Sequence, residues 1–330
     1  MKALLAEVIA AGGPRSEAEF DALALALFRA QRVLNADYGR FSGSEEPTCW
    51  AEIPAVPVGL FRDLALTCFP PDEARVLFHT SGTTSGRRGV HRLRDTDLYD
   101  LGSLRHARAV LGPIPQAGVS LVTHAPDSSL GHMVALFAPG LTRAFDLGTG
   151  LDHALAWSAL RAARQPVFVP ATAFALADLL YPDDRPPAEP CPLPEGSIVM
   201  VTGGFKGWRR RVDEAELTRR ALGAFPGARV VGEYGMTELS SQLWADPLGA
   251  PFLPPPWMRV LAVDPLSGQP APEGQLRFFD LANHDTVLAV ETQDLGRVLP
   301  DGRVVLLGRL QDAPARGCSI TVEEAGRGPR

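Results

Sequence analysis

Three observations predict an α/β fold with a mainly parallel sheet flanked by helices. From residue 76 to about 250, short apolar runs alternate with stretches of helical periodicity. Several of those runs end abruptly in polar, glycine-bearing turns, as strands feeding a ligand crevice do. Beyond 250 the alternation stops, and short strand-like runs follow one another between Gly, Pro, Asn and Asp turns. The chain therefore divides into a helical and extended segment at 1–75, an α/β core at 76–250 and a small antiparallel β-rich part at 251–330.

In the first segment, residues 17–35 read as an amphipathic helix. Phe20, Leu23, Leu25, Leu27, Phe28 and Val33 recur near helical spacing, and Ser16 is placed to cap it. Prolines at 54, 57 and 70 then keep the chain extended. Nothing in 1–75 asks for more than a scaffold role.

The core begins with the run Val76–His79 as a strand. A loop of hydroxyls, glycines and arginines follows it, Thr80-Ser81-Gly82-Thr83-Thr84-Ser85-Gly86-Arg87-Arg88-Gly89. Glycines let backbone approach an anion, successive N–H groups can form a concave nest, and the hydroxyls add donors. Arg87 and Arg88 bring permanent charge and forks that match phosphate oxygens. No Gly-Lys-Ser/Thr follows, which excludes a P-loop. A solvated Gly/Ser/Thr loop with no ligand is the other reading of this stretch.

A helix near 96–111 comes next, capped by Asp95 or Thr96, then a strand at 118–123 and helices at 128–138 and 152–164. Strands at 166–169, 197–202 and 229–234 alternate with helices at 171–181 and 213–224. The proline-rich 182–196 is a connector. After 250, strands are expected at Met258–Val263, Gly274–Phe279, Thr286–Val290 and Arg303–Leu307, with Asp301-Gly302 as a hairpin turn.

Composition narrows the function classes. A net charge of −6 argues against a general nucleic-acid binder. No apolar run approaches the ~20 residues of a membrane span. Glu7 interrupts a faint N-terminal imitation of a signal peptide. The four cysteines are scattered without zinc-ligand spacing, so a reducing cytoplasm is the expected setting.

Four further turns carry chemistry-bearing residues. Gly232-Glu233-Tyr234-Gly235-Met236-Thr237-Glu238 offers a ring face at Tyr234, a hydroxyl at Thr237 and a hard-cation ligand at Glu238. A helix start with Thr237 as cap would also explain Thr-Glu, though not Tyr-Gly-Met. Thr202-Gly203-Gly204-Phe205-Lys206-Gly207 follows a strand. Thr292-Gln293-Asp294-Leu295-Gly296 holds a carboxylate suited to a vicinal diol, or simply a β-turn aspartate. Gly308-Arg309-Leu310-Gln311-Asp312 ends a strand with an arginine.

Taken in this order, the motifs resemble those of the adenylate-forming superfamily: acyl-CoA synthetases, adenylation domains and luciferases. Tyr234-Gly235-Met236-Thr237-Glu238 matches that family's signature intact. The glycine-rich loop matches at Ser81 to Thr84 and at Gly89. Ser85 replaces a glycine, Arg87 a proline and Arg88 a lysine.

The resemblance implies ATP and Mg²⁺ as cofactors and a carboxylic acid as substrate. It places phosphate on Thr80, Ser81, Gly82, Thr83, Thr84 and Arg88, and Mg²⁺ on Glu238 beside Thr237. Gly203, Gly204, Phe205, Glu233, Tyr234, Gly235 and Met236 would hold the adenine side, and Asp294 and Arg309 the ribose. The fold implied is the large N-terminal-type adenylation domain. Only residues 310–330 follow the arginine, so the family's usual C-terminal domain of about a hundred residues is expected to be missing.

A narrower resemblance is to the acyl-protein synthetase branch of bacterial luminescence systems. It rests on Phe28, Gln31 and Tyr38, on Pro126–Met133, on Tyr234–Gln242 with Ser241-Gln242, and on Arg316-Gly317-Cys318-Ser319. This branch implies fatty-acid activation to acyl-AMP, acyl transfer to the enzyme's own Cys318 and a partner reductase. Arg316 would favour the Cys318 thiolate while Glu323 and Glu324 oppose it. Cys318 also reads as a small buried residue on a terminal strand. Two other outcomes stay open: transfer of the acyl group to a carrier-protein thiol or an amine, and a non-catalytic nucleotide- or acyl-binding protein.

Overall fold

The computed structural model describes residues 1–80, 88–181, 189–203 and 214–310. Contacts group them into two units. One is Met1–Arg105 with Thr237–Ser241 and the chain from Leu253 onward; the other is His106–Met236 with Gln242–Phe252.

The first unit is built on a five-stranded sheet. Met258–Val263, Glu273–Asp280 and Ala289–Val298 run antiparallel in sequence order. The first half of Ala289–Val298 pairs in parallel with Val56–Pro57, and its second half pairs antiparallel with Val304–Arg309. Four strands were expected beyond 250. The third lies further along the chain, at Ala289–Val298 rather than Thr286–Val290, and it is ten residues long. Asp294 therefore stands in a strand, opposite Arg309, and not in a turn. A register shift between Leu295 and Gly296 accommodates Gly308, whose φ of 139° suits glycine alone.

The amphipathic helix forms as Glu17–Leu34, and the Ser16 side chain accepts from Glu19 N–H as its cap. Phe20, Leu23, Leu27 and Phe28 are buried. Val33 is 81% exposed, whereas Gln31, polar and passed over by the hydrophobic pattern, is 1% exposed. Its amide closes a clasp on the 283–288 segment. Nε2 donates to the Asn283 carbonyl (2.7 Å), and Oε1 accepts from Leu288 N–H (2.9 Å). Tyr38 packs edge-on to Phe28 and donates its hydroxyl to Pro54 O (2.9 Å). Gln31 thus ties the N-terminal helices to the 283–288 segment, and Tyr38 ties them to the chain at Pro54.

The loop at 80–89 joins a hairpin. Val76–His79 pairs antiparallel with Val90–Leu93, a strand that the alternation of apolar runs did not reveal. The helix that follows starts at Asp97.

The second unit holds the parallel sheet. Phe168–Thr172, Ile198–Thr202 and Arg229–Tyr234 lie side by side in parallel, and Leu243–Ala245 closes the edge antiparallel. These strands read as near-continuous apolar runs because both faces are covered. Ser129–Phe137, His153–Ala162 and Ala173–Leu180 form helices capped by Ser128, Asp152 and Thr172, and Glu214–Ala224 is a fourth. The expected strand at 118–123 shortens to Val119–Ser120, extended by single bridges from Gly118 to Phe168 and from Leu121 to Ala171. No helix of the described residues is long and apolar enough to cross a membrane.

Candidate active site

In the first unit, the Thr237-Glu238 string meets the hairpin of the glycine-rich loop at one buried histidine. His91 lies on the hairpin strand Val90–Leu93 and is 1% exposed. Its Nδ1 is 2.6 Å from the Thr237 carbonyl and its Nε2 3.0 Å from Thr286 Oγ1. A carbonyl only accepts, so Nδ1 carries the proton and Nε2 accepts from the threonine. Burial lowers the ring's pKa to about 4, which keeps it neutral. The Thr237 hydroxyl points back at the His79 carbonyl, 3.5 Å away. The hairpin thus holds the Thr237-Glu238 segment by its backbone. Sequence reasoning passed over His91; the available signal was a histidine inside a short apolar strand.

The hairpin also closes the base of its loop. Thr80 N–H donates to Gly89 O, and Gly89 N–H donates to Thr80 Oγ1, both at 2.9 Å. A side chain at position 89 would press on the Thr80 methyl at 3.0 Å, so glycine is needed here for close approach. Arg88 is exposed and donates from Nε to Thr80 O (2.6 Å) and from Nη2 to His79 O (3.3 Å). Ser81, Gly82, Thr83 and Thr84 lie outside the described residues.

Glu238 is 8% exposed, and its backbone carbonyl accepts from Asn283 Nδ2 (3.0 Å). Burial pushes its carboxyl up to about 7; its own N–H and the charge of Arg62 pull the other way, while Asp294 adds to the rise. The same segment is pinned again two residues on. Asp280, fully buried, accepts from Ser240 N–H (3.1 Å) and Ser241 Oγ (2.9 Å), and Ser241 Oγ accepts from Trp257 Nε1 (2.9 Å). The Ser241 of the sequence motif is therefore a structural link.

Asp294 and Arg309 face each other across the Ala289–Val298 and Val304–Arg309 pair, with Nη1 3.5 Å from Oδ1. Arg309 Nη2 also donates to Gln293 Oε1 (3.0 Å). Burial lowers the Arg309 pKa, and the neighbouring Arg62 charge adds to the fall. Glu238 lies within electrostatic reach of Asp294 and of Arg62, a residue that no motif had singled out, and Arg309 within reach of Arg62. Two carboxyls suit a hard cation; two guanidiniums suit an anion.

The second unit brings other predicted residues together at the carboxyl ends of its strands. Thr172, Thr202 and Glu233 are in register across the sheet. The Thr202 hydroxyl donates to the buried Glu233 carboxyl, whose pKa burial raises to about 7. Tyr234 is half-buried, its ring edge-on to Phe252 at 6.0 Å. Gly235 sits where a Cβ would meet Glu233 Oε1 at 2.6 Å, and Gly203 leaves the strand with φ 71°. Met236 ends this unit's segment. Gly204 and Phe205 lie outside the described residues, as does Cys318. His124 pairs with Ser120 (Nε2 to Oγ 2.8 Å), and Ser120 is fully buried.

No family model matches the chain, and no curated protein matches it in sequence. Solved structures do match. The luciferase-like enzyme of the nonluminescent mealworm Zophobas morio aligns with a TM-score of 0.52 at 14% identity, over 74% of this chain and 60% of that one. ATP-bound MatB from Rhodopseudomonas palustris aligns with a TM-score of 0.53 at 20% identity, over 74% and 50%. The O-succinylbenzoate coenzyme A synthetase MenE of Bacillus subtilis, in complex with AMP, gives 0.50 at 18%, over 73% and 50%. The chain spans 60% and 50% of the lengths of the first two. At such identities the likeness is one of fold, and that fold is the α/β adenylation domain expected from the motifs.

Proposed function

We propose that the chain is an adenylate-forming ligase that activates a carboxylic acid, a fatty acid by preference, as acyl-AMP. The observation that carries this reading is the cluster in the first unit. Thr237 and Glu238 of the Tyr-Gly-Met-Thr-Glu string are tied through His91 to the hairpin bearing the glycine-rich loop, and Glu238 shares its surroundings with Asp294 and Arg309.

In this reading the substrate carboxylate attacks the α-phosphorus of ATP in line; an O–P bond forms, and the bond to the departing pyrophosphate breaks. A carboxylate is already ionised near neutral pH, so the protein needs no strong base. Its work is positioning and charge stabilisation. The loop at 80–89, with Arg88, takes the β- and γ-phosphates. Asp294 accepts from the ribose hydroxyls and Arg309 donates to the ribose or phosphate. Tyr234 and the turn at 203–205 flank adenine.

Mg²⁺ fits the donor set. Glu238 offers carboxylate oxygens, which the ion prefers, and a cation would draw its carboxyl back to its charged form. When bound, it supplies charge neutralisation for the leaving pyrophosphate. The acyl group then passes to a thiol, with AMP leaving. The branch resemblance favours Cys318 as acceptor; a carrier-protein thiol or an amine is the alternative, as is a protein that only binds nucleotide.

The test is pyrophosphate release with ATP and Mg²⁺ across fatty, aryl and amino acids, with Glu238→Gln as control. Release with one class, lost in the variant, supports adenylation and names the substrate class. ATP binding without release for any class rejects the ligase in favour of the binding protein.

A further inference from the structure

In the second unit, two buried polar groups stand on one face of the sheet, each with an open hydrogen-bonding position. Glu233 lies in Arg229–Tyr234 and Trp244 in Leu243–Ala245, at directly paired positions of their antiparallel ladder. Opposed residues project from the same face, with Cβ atoms about 4.5–5.5 Å apart. Trp244 is 1% exposed, and its Nε1 is buried with no hydrogen-bond partner among the described residues. Glu233 is equally enclosed. Its Oε2 accepts from the Thr202 hydroxyl, while no hydrogen bond among the described residues reaches its Oε1. Oε1 lies over Gly235, where a Cβ would press on it at 2.6 Å.

Side chains alternate along a strand, so Tyr234 projects from the opposite face. Its ring packs on Phe252, and a Cβ at Gly232 would touch Phe252 and Leu248 on that same side. On the Glu233 face, Trp244 instead meets Phe137, with ring centroids 6.1 Å apart. With the Tyr234 ring assigned to adenine, the Glu233 carboxyl is left for another part of the bound molecules. Ligands of a parallel sheet sit outside the carboxyl ends of its strands, and Glu233 is the last residue but one of its strand.

Buried donors and acceptors are normally paired, because an orphan keeps its full desolvation penalty. Here one N–H donor and one carboxyl oxygen share a face yet do not bond each other. A hydroxyl satisfies both at once: it accepts from the indole and donates to the carboxyl. An alkyl chain satisfies neither. An ammonium donates to the carboxyl but offers the indole no acceptor.

We propose that Glu233 and Trp244 form a specificity site for a hydroxyl group carried by the acid substrate. The inference rests on the adenylation reading above and narrows its substrate class to hydroxylated acids, among which a hydroxylated fatty acid meets both. Thr202 acts as a positioning residue, since its bond to Oε2 leaves Oε1 for the substrate.

The test measures pyrophosphate–ATP exchange by the full-length protein on matched acids: decanoic acid against its α-, β- and ω-hydroxy derivatives, and benzoic acid against its hydroxy derivatives. In at least one pair the hydroxylated member is favoured in kcat/KM by roughly 10- to 100-fold. Trp244→Phe removes the N–H and keeps an aromatic ring, and it cuts that preference about tenfold. Glu233→Leu cuts it as well. Each readout is a ratio between two acids on one protein, so a general loss of folding or of ATP binding cancels. Equal exchange with both members of every pair overturns the inference and leaves adenylation standing; a bound water would then fill the gap. A preference that survives both substitutions overturns it too. Exchange with none of the acids brings down the adenylation reading first and this one with it.

Discussion

The Nδ1–H of His91 donates to the carbonyl of Thr237 across 2.6 Å, joining residues 146 positions apart. Because the ring is buried and neutral, this bond sets a pH dependence. The folded-state pKa lies near 4, below the ordinary 6.5, so the unfolded chain binds the extra proton first. Stability from this group is complete above pH 6.5 and is lost as pH falls toward 4. The total is on the order of 3 kcal/mol. Denaturant melts of wild type and His91→Gln at pH 7.5 and pH 4.5 check this. The difference between the two proteins narrows at the lower pH; a constant difference would show that folding leaves the ring's pKa unshifted.

Glu238 behaves in the opposite sense. Its folded pKa is raised to about 7, so the fold favours the neutral form, and any stability it lends is lost as pH rises through 7. Cation binding needs the charged form. Pyrophosphate release at low Mg²⁺ should therefore rise with pH through about 7, and the inflection should move to lower pH as Mg²⁺ is raised. Glu238→Gln abolishes release, yet at pH 8 is at least as stable as wild type. An inflection that ignores Mg²⁺ would separate the carboxyl from the metal.

The motif strings are legible in the sequence because they are local. Tyr234 to Glu238 and the Thr202-Gly203 turn each sit at a strand's carboxyl end, where period and turn composition place them. Sequence reasoning singles out Asp294 but sets it in a turn. The polar look of Thr292-Gln293-Asp294 hides a strand whose pairing partner, Val304–Arg309, decides its conformation. The positions of His91, Arg62 and Gln31 in the fold were not legible. Each acts through partners far away in sequence, and a lone polar residue in a short apolar stretch does not announce them. The second hairpin strand, four residues long, is too short for periodicity to reveal.

Gln31 offers a test of scaffold rather than chemistry. Three of its amide contacts reach the 283–288 segment, which in turn holds Glu238 through Asn283. Gln31→Leu keeps the volume but strands the Leu288 N–H and two carbonyls without partners. Leaving such groups buried costs about 1–3 kcal/mol each at most. The expected outcome is a lower thermal midpoint with loss of both ATP and AMP binding. A variant as stable as wild type would mean that water replaces the amide.

Asp294 and Arg309 should serve ATP and AMP alike, since ribose is common to both. Asp294→Asn keeps the shape but weakens the acceptor and the Arg309 pair. Affinity for the two nucleotides should fall in parallel, by about tenfold. A 2′,3′-dideoxy analogue of ATP should bind wild type and Asp294→Asn equally. If the variant still discriminates, Asp294 does not face the ribose.

In the proposed function Cys318 is the favoured acceptor of the acyl group. In acyl transfer to its own thiol, the Cys318 sulfur attacks the acyl carbonyl, the mixed anhydride breaks, and AMP leaves with the electron pair. The thiolate is the nucleophile, so the rate should climb with pH until the thiol is ionised. Intact mass after incubation with ATP and the preferred acid should show one added acyl group, removable by hydroxylamine and absent in Cys318→Ser. The serine variant should still exchange pyrophosphate into ATP, because that half-reaction ends at acyl-AMP. If wild type stays unmodified while acyl-AMP forms, the acceptor is a separate thiol or amine, and adding a carrier protein to the same assay would then identify which.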